Sequence, residues 1–130
     1  MEKFKFMTEY ELRASPKVLF PYISTASGLA QWFAAKVNTL PDMKYDFIWD
    51  DESHVARQTA IRQNKSVKFE FLNTSDDGQD SNYVEIRADV SELTQATYLR
   101  ITDYSTTTDE EELQDMWDGM VDKLKEIVGS

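Results

Sequence analysis

At 130 residues, 41% hydrophobic and 12% aromatic, the chain has the length of one domain (1–130) and enough large rings for a single continuous core. Its 24 acidic side chains against 14 basic ones give a formal charge of −10, which excludes nucleic-acid binding through the phosphate backbone and opposes docking on anionic lipid headgroups. Cysteine is absent, so disulfides and thiol chemistry are excluded, in keeping with a reducing compartment.

The N-terminal MEKFKFM alternates Lys with Phe and offers no apolar run, so neither a signal peptide nor membrane insertion is expected and the cytoplasm is the expected location. From Lys3 to Arg13 the alternation continues, with Phe4, Phe6, Tyr10 and Leu12 on one face and charged residues on the other, as in a half-buried strand. Ser15-Pro16 starts a short helix to about Ile23, and Thr25 caps a second one running through Trp32 and Phe33. Strands are predicted at 35–40, 44–49, 53–62, 67–71, 83–90 and 96–103, with turns at Pro41-Asp42, Asp50-Asp51 and Asn64-Lys65. The polar stretch from Asn73 to Asn82 reads as a hairpin loop with Asp77-Gly78 at its tip.

The chain closes on its most regular pattern. Leu113, Met116, Trp117, Met120, Val121, Leu124, Ile127 and Val128 share one helical face. Thr108 with Glu111 forms a capping box, and Gly129 is the stop. One strand, two short helices, about six strands and a long helix make an α+β fold, an antiparallel sheet wrapped on that helix.

Two local stretches carry a resemblance. Ala14-Ser15-Pro16-Lys17-Val18-Leu19-Phe20 precedes Ser24-Thr25-Ala26-Ser27-Gly28-Leu29-Ala30-Gln31-Trp32-Phe33, and Met116-Trp117-Asp118-Gly119-Met120 lies in the last helix. In these motifs and in element order the chain resembles the START-like, or helix-grip, superfamily, which includes the birch-pollen allergen fold, and looks closest to its branch related to the activator of Hsp90 ATPase. Two departures stand out: Leu40-Pro41-Asp42-Met43 replaces a glycine-rich turn of the family, and Met116-Trp117 replaces a Gly-Trp pair. The resemblance implies a helix-grip fold whose cavity between sheet and helix holds apolar ligands, or else a surface that binds a chaperone.

Trp32, Phe33, Phe47, Trp49, Phe69, Phe71 and Trp117, with Met116 and Met120, either line such a cavity or fill the core. Arg57 alternates with Val55, Thr59 and Ile61; in that phase it points inward and needs an anionic partner such as a ligand carboxylate. In the opposite phase, or after a one-residue bulge, Ala56, Gln58 and Ala60 are inward and Arg57 is in water, the arrangement more usual for arginine. Arg57 and Tyr98 are the candidates to orient a ligand's polar end.

His54 is the single histidine, which excludes a His-based metal cluster, and it reads as a solvated residue at a strand end. Asp76 to Asp80 lacks the oxygen spacing of a calcium loop, and four glycines build no phosphate loop. No catalytic residue, metal or cofactor is expected. The leading expectation is non-catalytic binding of a small hydrophobic or amphipathic molecule. A protein-interaction domain, with a partner protein or a homodimer, is second, and a cyclase or hydrolase using His54, Arg57, Tyr98 or Tyr104 is third.

Overall fold

The computed structural model describes residues 3–72 and 81–129. The expected hairpin tip at Asp77-Gly78 and the acidic stretch 76–80 lie outside them. In chain order the elements are β1 (Phe4–Leu12), α1 (Pro16–Ser24), α2 (Ala26–Leu29), β2 (Lys36–Leu40), β3 (Lys44–Trp49), β4 (Glu52–Arg62), β5 (Ser66–Phe71), β6 (Tyr83–Val90), β7 (Thr97–Ser105) and α3 (Glu110–Val128). The described strands form one antiparallel sheet in the order β1-β7-β6-β5-β4-β3-β2. Consecutive strands pair from β2 to β7, and β1 pairs with β7 after the chain has passed through the other six strands. The α+β helix-grip architecture expected from the sequence is the one observed.

Short-range chemistry accounts for the element ends. Val18 N–H donates to Ser15 Oγ at 3.2 Å, and Pro16 follows at the first helical position, where a missing N–H costs nothing. Thr25 Oγ1 accepts from Gly28 N–H at 3.0 Å and donates to Pro21 O at 2.6 Å, so one hydroxyl closes α1 and opens α2. The second helix is shorter than the sequence suggests. It stops at Leu29, and turns carry the chain through Phe33, whose N–H donates to Leu29 O at 2.9 Å. At the other end, Asp109 rather than Thr108 is the N-cap of α3, with Glu112 N–H donating to its Oδ1 at 3.1 Å. Either side chain suits a cap, and the carboxylate also favours the positive end of the helix dipole. Gly129 adopts the left-handed conformation at φ 79°, the expected stop.

The inner face of the sheet holds Phe6, Leu12, Phe47, Ala56, Val67, Phe69, Ile86, Leu99 and Ile101, all buried, and Leu113, Trp117, Val121 and Leu124 of α3 complete the same cluster. A register shift lies between Gln58 and Ala60 in the β4–β5 ladder. It places Ala56 and Gln58 inward on one side of the irregularity while Ile61 pairs with inward Val67 on the other. Arg57 therefore faces out and is exposed.

A polar clamp fastens α3 to the edge strand. Tyr10 Oη donates to Asp118 Oδ1 at 2.7 Å, while Gln114 Nε2 donates to the same oxygen at 2.8 Å and to Thr8 Oγ1 at 3.0 Å. Burial and the Asp118 carboxylate push the Tyr10 hydroxyl above its ordinary range, so it remains a donor. The same hydrogen bonds hold Asp118 below the usual carboxylate range. A lowered acid pKa stabilises the fold above the unfolded value, and that gain disappears as pH falls through the folded value. Urea unfolding midpoints measured from pH 5 to pH 2 should therefore fall more steeply for the native chain than for Asp118→Asn.

Candidate functional site

An open-mouthed cavity of about 750 Å³ lies between the end of the sheet, the 30–35 segment and α3, within the size range of small-molecule sites. Three segments build its apolar wall. Ala30 to Ala35 supply Trp32 and Phe33, β3 and β5 supply Trp49 and Phe71, and α3 supplies Met116, Trp117 and Met120. Phe33 is the hub: its ring meets Phe47 edge-on at 5.2 Å, Trp49 edge-on at 5.1 Å and Trp117 at 5.7 Å. Such contacts fix ring orientation beyond what burial alone requires.

The three indole N–H groups all have protein partners. Trp32 Nε1 donates to Tyr22 O at 2.8 Å, holding the turns after α2 against α1. Trp49 Nε1 donates to Phe33 O at 2.7 Å, tying the same segment to β3. Trp117 Nε1 donates to Asp103 Oδ2 at 2.9 Å. The wall is thereby held by side chains whose donors are already satisfied, and its contribution to a ligand is apolar.

Of the aromatic and methionine set read from the sequence, Trp32, Phe33, Trp49, Phe71, Met116, Trp117 and Met120 line the cavity. Phe47 and Phe69, 5.3 Å apart and edge to face, belong to the core and not to the lining; Trp32, Phe33 and Trp117, at most 3% exposed, are core side chains that back the wall, and Trp49, Phe71, Met116 and Met120 are its partly open members. Met116 is 45% exposed, since the cavity opens to solvent beside it. The two candidates for orienting a polar end lie elsewhere, Arg57 in the outward phase that is the more usual one for arginine. Arg57 lies on the outer face, in register with Lys44 and Glu70. Tyr98 is out of phase with buried Leu99 and turns its hydroxyl to Glu11 Oε1 at 3.4 Å, also outside. Neither lines the cavity.

Other polar groups line the cavity, Asn82, Tyr104, Ser105 and Thr107 among them, together with His54, Lys123 and Asp103. His54 is at its rim, its ring 5.3 Å from that of Trp49 and its Nε2 3.9 Å from Glu52 Oε2. Lys123 lies at the mouth and is exposed. Asp103 is inside, 8% exposed, on β7 between Phe6 and Val84 of the neighbouring strands. Burial pushes its carboxyl above the ordinary value, and the Trp117 N–H only partly offsets this. A sequence signal for Asp103 exists: it continues the period-2 phase of Leu99 and Ile101, both inward. No group of His, Asp or Glu among the described residues is arranged to hold a metal ion.

Known proteins place this geometry in a family. The model of the START-like superfamily domain matches residues 1–130. The protein BfR322 from Bacteroides fragilis is 37% identical over 98% of this chain and 92% of its own, with a TM-score of 0.64. Two more distant structures share the fold. The Aha1 dimer from Colwellia psychrerythraea has a TM-score of 0.77 at 16% identity, covering 96% of each chain. MLL2253 from Mesorhizobium loti has a TM-score of 0.76 at 13% identity, covering 97% of each. None of the curated proteins compared with the chain matches it. No helix among the described residues is long and apolar enough to cross a membrane. The chain belongs to the START-like superfamily.

Proposed function

We propose that this protein binds a small hydrophobic or amphipathic molecule, without catalysis, in the cavity between its sheet and α3. The observation that carries the reading is the open cavity of about 750 Å³, lined by rings and methionines, beside a continuous buried core. Large apolar side chains left partly open to solvent, such as Met116 and Trp49, are stabilised when a ligand removes that surface from water. The thioethers of Met116 and Met120 adapt to ligands of different outline. Membership in a superfamily that often binds hydrophobic ligands supports the same reading. His54, the histidine at the rim, is placed against Glu52 and the Trp49 ring rather than against a nucleophile, which favours binding over hydrolysis.

Titration with the uncharged fluorophore N-phenyl-1-naphthylamine tests this. Saturable enhancement at one probe per chain is expected. Met116→Glu, a helix-compatible change at an exposed wall position, should weaken binding about tenfold by placing charge beside the probe. Arg57→Ala, on the far face, should leave it unchanged. Unsaturable binding, or binding indifferent to Met116→Glu, would overturn the proposal.

A further inference from the structure

Among the described residues Asp103 is the one buried carboxyl of the cavity wall, and its two oxygens have different surroundings. Oδ2 accepts from Trp117 Nε1 at 2.9 Å, and this is the only protein donor to the residue among the described side chains. No fully buried side-chain oxygen or nitrogen in the described residues lacks a hydrogen-bond partner. Oδ1 must therefore be reached from open space, and the open space beside Asp103 is the cavity. Its strand partners Phe6 and Val84 offer no donor, Lys123 is out at the solvated mouth, and Asn82, Tyr104 and Ser105 share the cavity lining. A carboxyl in this position presents an unused acceptor to whatever enters.

We infer that Asp103 is the polar anchor of the cavity and selects amphipathic ligands that carry a hydroxyl or N–H donor, the donor pairing with Oδ1 while the apolar body lies on the partly open Met116, Met120 and Trp49. The inference rests on the ligand-binding reading above and adds the chemistry of the ligand's polar end. An anionic head group is disfavoured at this anchor, because it would bring a second negative charge against a desolvated carboxyl in a chain of net charge −10. A carbonyl or ether end brings no donor, leaving Oδ1 desolvated and unpaired. The anchor on β7 replaces Arg57 and Tyr98 in that role and reverses the expected polarity, from a ligand carboxylate to a ligand donor.

Two uncharged ligands of equal chain length separate the possibilities: 1-decanol, which donates, and 2-decanone, which only accepts. Each is titrated against bound N-phenyl-1-naphthylamine. The native protein should bind 1-decanol about tenfold more tightly, the usual effect of one hydrogen bond to a charged acceptor. In Asp103→Asn the amide oxygen can still accept from Trp117, which turns the NH2 group toward the cavity, so the preference should vanish or invert in favour of 2-decanone. Equal displacement by the two ligands in the native protein, or an alcohol preference retained in Asp103→Asn, overturns the anchor while leaving the cavity reading intact. A probe that shows no saturable binding overturns both. The native comparison needs no variant to fold.

Discussion

Trp117→Ala is expected to lower the unfolding free energy by roughly 3–5 kcal/mol, the range for deleting a buried large aromatic side chain. Three losses coincide at this position. The side chain is 1% exposed, so its removal opens a void under α3. The Phe33 ring, 5.7 Å away, loses the contact that joins the 30–35 segment to the helix. Asp103 loses its indole donor and becomes a buried carboxyl with no protein partner. Trp117→Phe separates these effects in part, because it keeps a buried six-membered ring while removing the N–H and the five-membered portion of the indole. A smaller loss of about 1–3 kcal/mol is expected for it at neutral pH.

That smaller loss has a pH dependence with a definite sign. The Asp103 carboxyl titrates above its ordinary value through burial, with the Trp117 N–H opposing the shift. Removing the N–H moves the pKa further up. For an acid with a raised folded-state pKa, the native state holds its proton where the unfolded chain has released it. Stability then falls as pH rises from the unfolded value to the folded one, and is level above that. The deficit of Trp117→Phe against the native chain should accordingly shrink as pH is lowered toward 4. Urea denaturation of the three proteins between pH 4 and pH 8 checks both size and sign. A Trp117→Ala loss below about 1.5 kcal/mol would mean that α3 is not docked through this ring.

The architecture was readable because its signals are periodic and local. Leu113, Trp117, Val121 and Leu124 repeat at helical spacing and are the buried stripe of α3. Asp50 and Asp51, with φ of 51° and 63°, make the two-residue reversal between β3 and β4 that the acidic pair suggested. The cavity wall was partly readable for the same reason, since a side chain's face follows from its phase. What phase alone could not distinguish was wall from core. Phe47 and Phe69 carry the same inward pattern as Trp49 and Phe71, and the difference is how far along the sheet each pair lies from the opening. Arg57 was ambiguous because the irregularity beyond Gln58 puts it and Ile61 on opposite faces, although four residues apart in a regular strand they would share one. Asp103 carries only a weak signal of this kind, because a carboxylate is rarely expected at an inward position, even though the phase of Leu99 and Ile101 points to it.

The same substitution at two glycines should have opposite effects. At Gly28 a Cβ would stand 2.1 Å from Pro21 O, 2.6 Å from Tyr22 Cα and 2.8 Å from Pro21 C, all backbone atoms with no side-chain freedom to yield. Pro21 O is itself held by Thr25 N–H and Thr25 Oγ1. The corner between α1 and α2 therefore has to open, at an expected cost of about 3 kcal/mol or more for Gly28→Ala. At Gly119, in the middle of α3, a Cβ meets nothing within 4 Å. There Gly119→Ala should stabilise by about 0.5–1 kcal/mol, through the lower backbone entropy of alanine in the unfolded chain. The contrast extends to binding. Gly28 sets the path of the chain into Trp32 and Phe33, whose positions rest on Tyr22 O and on the Trp49 indole. Opening that corner should displace one wall of the cavity and weaken N-phenyl-1-naphthylamine in Gly28→Ala, while Gly119→Ala should bind it as the native chain does. Thermal unfolding and probe titration of the two variants measure both contrasts, and a Gly28→Ala protein of native stability would contradict the close packing of α1 on α2.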